Sequence, residues 1–216
     1  MHTSRTRCTA FEGAQCVASG ELAQVALKAK DVVDEGKQVL IFDDVTSEAI
    51  EVDFRGTADD VLRRLAQMES GETERAAIQD AEAPRGPGRP KLGVVAREVT
   101  LLPRHWDWLN AQPGGASVAL RKLVDEARRT NEGSDRVRQS KEAAYRFMSV
   151  MAGNRVGFEE ATRALFAGHQ ERFNQLVEPW PADIRHHAKK LADVAFQIPS
   201  AQPALLQAAT TTAFQQ

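Results

Sequence analysis

Cysteine is scarce in this chain: Cys8 and Cys16 are the only two in 216 residues. Two closely spaced thiols make no disulfide framework, and no further cysteine is at hand for a zinc cluster, which fits a reducing compartment. No run of about 18 apolar residues occurs, so a membrane-spanning helix is excluded. The N-terminus, Met1 to Ala10, has arginines but no apolar stretch of signal-peptide length, and a cytoplasmic location is expected. A nucleophile–base pair, a phosphate loop and a metal-ligand cluster are all lacking, so the sequence offers no catalytic residues, no cofactor, no metal and no enzyme. Net charge is low as well, at −2. By itself that total speaks against a nucleic-acid partner.

What is present is ordinary in amount and uneven in place. Hydrophobic residues make up 42% and charged residues 27%, values of a soluble globular chain long enough for one large domain or two small ones. Residues 1–68 hold 8 Lys and Arg against 12 Asp and Glu, and residues 69–83 hold 1 against 5. The sign then reverses, with 9 against 4 over residues 84–130 and 10 against 9 over residues 131–216. Such asymmetry points to an anionic partner met at one place.

The patterning predicts an α+β protein. Residues 6–11 and 15–18 read as a hairpin around Gly13, and Leu22, Val25, Ala26, Ala29, Val32 and Val33 recur at helical spacing until Gly36. Val39 to Phe42 has strand length. Ile50, Val52 and Phe54 alternate with Glu51, Asp53 and Arg55 as in a half-buried strand, and Thr57 with Asp60 signals a helix start. The result is a small ββαββα two-layer domain over residues 1–68. Asp43, Asp44 and Asp53 are read as turn formers. Residues 69–93 read as a flexible linker, being poor in large apolar residues.

Inside that linker lies the basic run Pro84-Arg85-Gly86-Pro87-Gly88-Arg89-Pro90-Lys91. Pro holds the backbone extended, Gly lets it approach a groove floor, and Arg is drawn to the negative potential of narrow A·T-rich DNA. Gly88-Arg89-Pro90 resembles the core of an AT-hook, which binds the minor groove. The resemblance implies that Arg89 enters the groove while Arg85 and Lys91 meet phosphates. Pro87 stands where the fuller motif has an arginine.

Residues 94–130 follow as strand, helix, glycine turn and helix. Val94 to Leu102 is β-prone and ends at Pro103. Arg104 to Gln112 reads as a short helix with Trp106, Trp108 and Leu109 on its buried side. Pro113-Gly114-Gly115 breaks it, and Ser117 caps a second helix, Val118 to Arg129, with Leu120, Leu123, Val124 and Ala127 spaced for packing. This order, and above all Gly115 to Val124, resembles the ribbon-helix-helix DNA-binding family. In that family two chains pair their strands into a ribbon that enters the major groove, so the resemblance implies a homodimer through residues 94–102. By position, Gly115, Ala116 and Ser117 would offer backbone N–H groups to a phosphate, and Arg104, Arg121 and Lys122 would add contacts to the DNA backbone. Counting back from Pro103, the family pattern presents Arg97, Val99 and Leu101 to bases. The apolar residues favour the other register, with Val95, Val99 and Leu101 inside and Thr100 toward the bases.

Residues 135–197 predict a bundle of four short helices: Asp135 to Ala152, one around Phe158 to Phe166, one around Phe173 to Val177, and one with Pro181 at its first position. His186 and His187 point about 100° apart and do not clamp one metal. With Arg185, Lys189 and Lys190 they read as a solvated basic patch, and Trp180 as an anchor packed on the bundle. Residues 198–216 read as a disordered tail. Over its length the chain also resembles an uncharacterised bacterial family of unknown function, through Arg85 to Leu92, Val99 to Gly115 and Ala143 to Phe158. The expected function is that of a bacterial DNA-binding, regulator-like protein with duplex DNA as partner. The alternative is a protein-interaction module, antitoxin-like or an adaptor, that docks a protein partner on its acidic domain or its bundle.

Overall fold

The computed structural model describes residues 3, 5–67 and 97–197. The readings for the linker with its hook, for residues 94–96 and for the tail lie outside them. The fold is α+β, in two compact units: Met1–Glu74 with Ser134–Gln216, and Arg75–Gly133.

In the first unit, strands β1 (Arg7–Glu12) and β2 (Gln15–Glu21) pair antiparallel from Arg7↔Glu21 to Glu12↔Gln15, with a bulge between Ala10 and Phe11. Gly13 turns the chain between them at φ 55°, a conformation that costs glycine little. Helix α1 (Leu22–Asp34) follows, and β3 (Val39–Asp43) returns antiparallel to β1, giving the order β2-β1-β3. The fourth strand expected over 50–54 is not formed. Only Phe42↔Ala49 bridges, and the ladder stops as the chain turns toward helix α2, residues 58–67. Thr57 caps α2 as expected: its N–H and hydroxyl both donate to Asp60 Oδ2 (2.9 and 2.8 Å), and Asp60 N–H donates back to Thr57 Oγ1 (3.3 Å).

Because side chains alternate along a strand, β1 sends Cys8 and Ala10 into one core with Leu22, Val25, Ala29, Ile41 and Val61, and Phe11 into another. That second core is built by the C-terminal helices. Phe11 and Phe42 lie against Phe147, with ring centroids 5.4 and 5.2 Å away. The sheet is therefore covered on both faces, in place of the two layers expected for residues 1–68, and it shares one compact unit with the helices from Ser134 onward. Burying each such ring stabilises the pairing of sheet and bundle by roughly 1.5–3 kcal/mol.

Helix α3 spans Pro103–Asn110, and α4 runs unbroken from Gly115 to Ala152. The two helices expected on either side of residues 130–135 are thus one, since a single Gly133 costs a long helix only about 1 kcal/mol. Helices α5 (Phe158–Ala167), α6 (Gln170–Leu176) and α7 (Ala182–Gln197) complete the bundle. Pro181 lies one residue before α7 rather than at its first position, with its C=O accepting from Arg185 N–H at 2.9 Å. Trp180 is the expected anchor, 3% exposed, its Nε1–H donating to Val156 C=O at 3.0 Å.

Candidate functional site

The second unit carries the helical hairpin. Leu102 is extended (φ −67°, ψ 149°), and Pro103 opens α3 at its first turn, where a missing N–H is harmless. Gly114 and Gly115 then adopt φ 87° and 74°, and Gly115 N–H donates to Gln112 C=O at 2.9 Å. A methyl on Gly114 would meet three Val118 side-chain carbons at 3.2 Å, so the turn requires glycine for both space and dihedral. These glycines start α4 two residues before Ser117, which sits in its first turn and not at the cap position.

Among the described residues of this unit only Leu109 and Ala119 are buried. Trp106 and Trp108, expected on the inner side of α3, are 36% and 53% exposed, and Val99, Leu102, Leu123 and Val124 are exposed with them. Eight residues make little more than two turns, so α3 presents one short apolar row, and Leu109 occupies its buried position. Arg97, Thr100, Arg104, Ser117, Arg121 and Lys122 all lie on the surface, with Gly115 half-buried. Arg121 Nε donates to Ser117 C=O at 3.1 Å, which brings those two positions together. The Gly115 N–H, expected to be open to a phosphate, is used by the turn, whereas Ala116 and Ser117 N–H have no partner among the described residues. The strand expected over 94–102 is absent from 97–102, which has no regular secondary structure. An extended segment forms a ladder only beside another, and none of the described strands pairs with 97–102. Arg85, Gly88, Arg89, Pro90 and Lys91 lie outside the described residues.

A polar cluster that the sequence does not announce sits between sheet and bundle in the first unit. Thr9 Oγ1 lies 2.6 Å from Asp44 Oδ1 and 3.0 Å from Ser19 Oγ, and Lys190 Nζ donates to Asp44 Oδ2 at 2.8 Å. Burial pushes the Asp44 carboxyl up, but the hydrogen bonds from Lys190 and Thr9 outweigh it and hold the group below the usual carboxylate value. His187, expected in a solvated patch, is buried, its ring 4.5 Å from Phe147 and 5.4 Å from Phe11. Its Nε2 has no hydrogen-bond partner among the described residues, and burial drives its pKa down to about 4. Burial and the carboxylates of Asp44 and Asp43 push the Cys8 thiol up to about 12, so it is an inert core residue.

The rest of the basic patch is compensated. Arg185 and Lys189 share the Glu178 carboxylate at 3.0 and 3.2 Å, and Lys190 is held by Asp44. Asp43 is the turn former expected, with Oδ1 accepting from Val45 and Thr46 N–H at 2.7 and 2.8 Å. Asp53 pairs with Arg55 and Arg64 at 2.7 and 3.5 Å. Among the described residues no three His, Cys, Asp or Glu side chains gather to hold a metal, and no helix is long and apolar enough to cross a membrane.

Fold and sites together define an α+β protein with an exposed helical hairpin in its second unit. The chain belongs to the DUF2239 family, described as an uncharacterized protein conserved in bacteria, whose model matches residues 7–192. No curated protein and no solved structure matches it.

Proposed function

We propose that this is a DNA-binding, transcriptional-regulator-like protein, in which residues 94–130 act as a ribbon-helix-helix-like reader and Arg85 to Lys91 as a minor-groove hook. The observation that carries the reading is the state of the hairpin: two glycines in left-handed conformation between α3 and α4, with two buried residues and six large apolar side chains left in the open among its described residues. Two buried residues are a small core for the described helices of the hairpin. A second copy, with residues 94–102 paired into a ribbon and the apolar faces of α3 and α4 interlocked, supplies the missing contacts. The exposed Arg97, Arg104, Arg121 and Lys122 and the open N–H groups of Ala116 and Ser117 then line a cationic surface suited to phosphates.

The test is duplex binding followed by fluorescence anisotropy over a salt series. Affinity should fall linearly on logarithmic axes, and Arg89→Ala with Lys91→Ala should flatten the slope by about 2. Loss of all duplex affinity at low salt in the unmodified chain would remove the proposal.

A further inference from the structure

The sheet meets the helices along a narrow seam. Of the described residues 5–67, Phe11 and Phe42 alone are buried in the core built by the helices, with Ala14 half-buried beside them. The opposite face of the sheet closes a core of its own with Leu22, Val25 and Ala29 of α1 and Val61 and Leu65 of α2. Phe11 and Phe42 meet edge to face, ring centroids 6.2 Å apart, and both lie on Phe147 of α4. Among the described residues three hydrogen bonds border this contact. Cys16 N–H donates to Asp183 Oδ2 at 2.8 Å, Lys190 Nζ to Asp44 Oδ2 at 2.8 Å, and the Arg146 guanidinium to Thr46 C=O.

His187 closes the seam from α7, its ring standing edge-on to Phe11 and tilted over Phe147. As a neutral ring it packs as a third aromatic. A proton would put a full charge on a ring whose buried Nε2 has no acceptor among the described residues, and an unpaired buried charge is costly. Burial is what holds its pKa down at about 4; of the charged groups that act on it, Asp44 just past β3 favours the protonated ring, and Lys190, three residues along α7, opposes it. From β1 and α4 it is faced by the apolar rings of Phe11 and Phe147. Asp44 itself is held below the usual carboxylate value by Lys190 and Thr9, against its burial, so the tether to Lys190 outlasts the neutral state of an ordinary imidazole as pH falls.

We propose that this seam is an acid-operated latch with His187 as its pin: on taking up a proton the ring leaves the space between Phe11 and Phe147, and the sheet parts from the bundle. The core between sheet and α1 stays closed, because no titratable group of the seam lies in it. Opening uncovers Phe11 and Phe42 and so converts a fall in pH into exposed apolar surface, the two-state readout of a histidine switch. The device goes beyond the DNA reading and does not depend on it.

The experiment titrates the full-length protein from about pH 8 to about pH 3.5 without denaturant, the span on either side of an ordinary imidazole and a buried one. X-ray scattering follows its size, far-ultraviolet circular dichroism its secondary structure, and proton resonance the His187 ring. Below about pH 6.5 the radius of gyration should rise by about 10–20% in the same step in which the ring titrates, with circular dichroism retained. His187→Phe, which fills the space with a ring that takes no proton, should stay closed over the whole span; His187→Leu serves if the larger ring does not fold. Loss of circular dichroism in the same step would mean global acid unfolding. Titration of the ring with no expansion would separate His187 from the seam, and expansion of a folded variant at the pH of the native protein would put the trigger elsewhere. Each of these three results would overturn the proposal.

Discussion

His187 shows how one buried nitrogen sets a pH dependence. Its imidazole sits among Phe11 and Phe147 with Nε2 unpartnered among the described residues, and its pKa falls from 6.5 to about 4. Between those values the unfolded chain takes a proton that the folded chain refuses. Stability is therefore complete above about pH 6.5 and is lost as pH falls toward 4, by roughly 3 kcal/mol. Urea midpoints at pH 7 and pH 4.5 should separate the native protein from His187→Leu, which has no proton to gain there; parallel pH curves would refute this. The sequence hid this residue because adjacent His186 and His187 give no face assignment until the sheet is known to lie on α7. Gly114 is the opposite case, legible from its Pro-Gly-Gly setting. Gly114→Ala must hold φ 87° against Val118, and thermal melts should show a loss of about 1–3 kcal/mol.

At the level of elements, period and capping were readable where partners are local. The hairpin, α1, β3 and the Thr57–Asp60 start of α2 all follow from neighbours within a few residues. Residues 50–54 differ because alternation records which side chains are buried and says nothing of whether a second backbone lies alongside. The continuity of α4 escaped for another reason: Thr130, Asn131 and Gly133 weaken a helix without ending it. Least legible was the packing of Phe11 and Phe42 on Phe147, contacts separated by more than a hundred residues that no periodicity encodes. Phe147→Ala should cost about 3–5 kcal/mol. Sheet and bundle should then melt together, followed by tryptophan fluorescence at Trp180 and far-ultraviolet circular dichroism; two separate transitions would mean independent domains.

For the molecule as a whole, charge and exposed surface carry the argument. The acidic excess of residues 1–83 and the basic excess of residues 84–130 make the second unit the place to test for DNA contact; a short helix, a glycine turn and a further helix start do follow Leu102, but the second helix begins before Ser117 and runs on to Ala152. The hook and the ribbon register were legible only as motif and alternation, since their geometry belongs to a partner strand or a groove. If the open apolar faces meet in a second copy, sedimentation should show a concentration-dependent dimer. Leu123→Glu with Val124→Glu should shift it to monomer and weaken DNA binding at least about tenfold, because burying two carboxylates in that contact is costly; a dimer unchanged by both substitutions would place the contact elsewhere.

One further consequence follows from α4. Residues 121–132 are exposed on every side, and a stretch of about a dozen unsupported helical residues is marginal in water. Arg121, Lys122, Arg128 and Arg129 lie within it, so trypsin should nick the protein there. The two fragments should nonetheless travel together through gel filtration, because Phe11 and Phe42 on one piece stay clasped to Phe147 on the other.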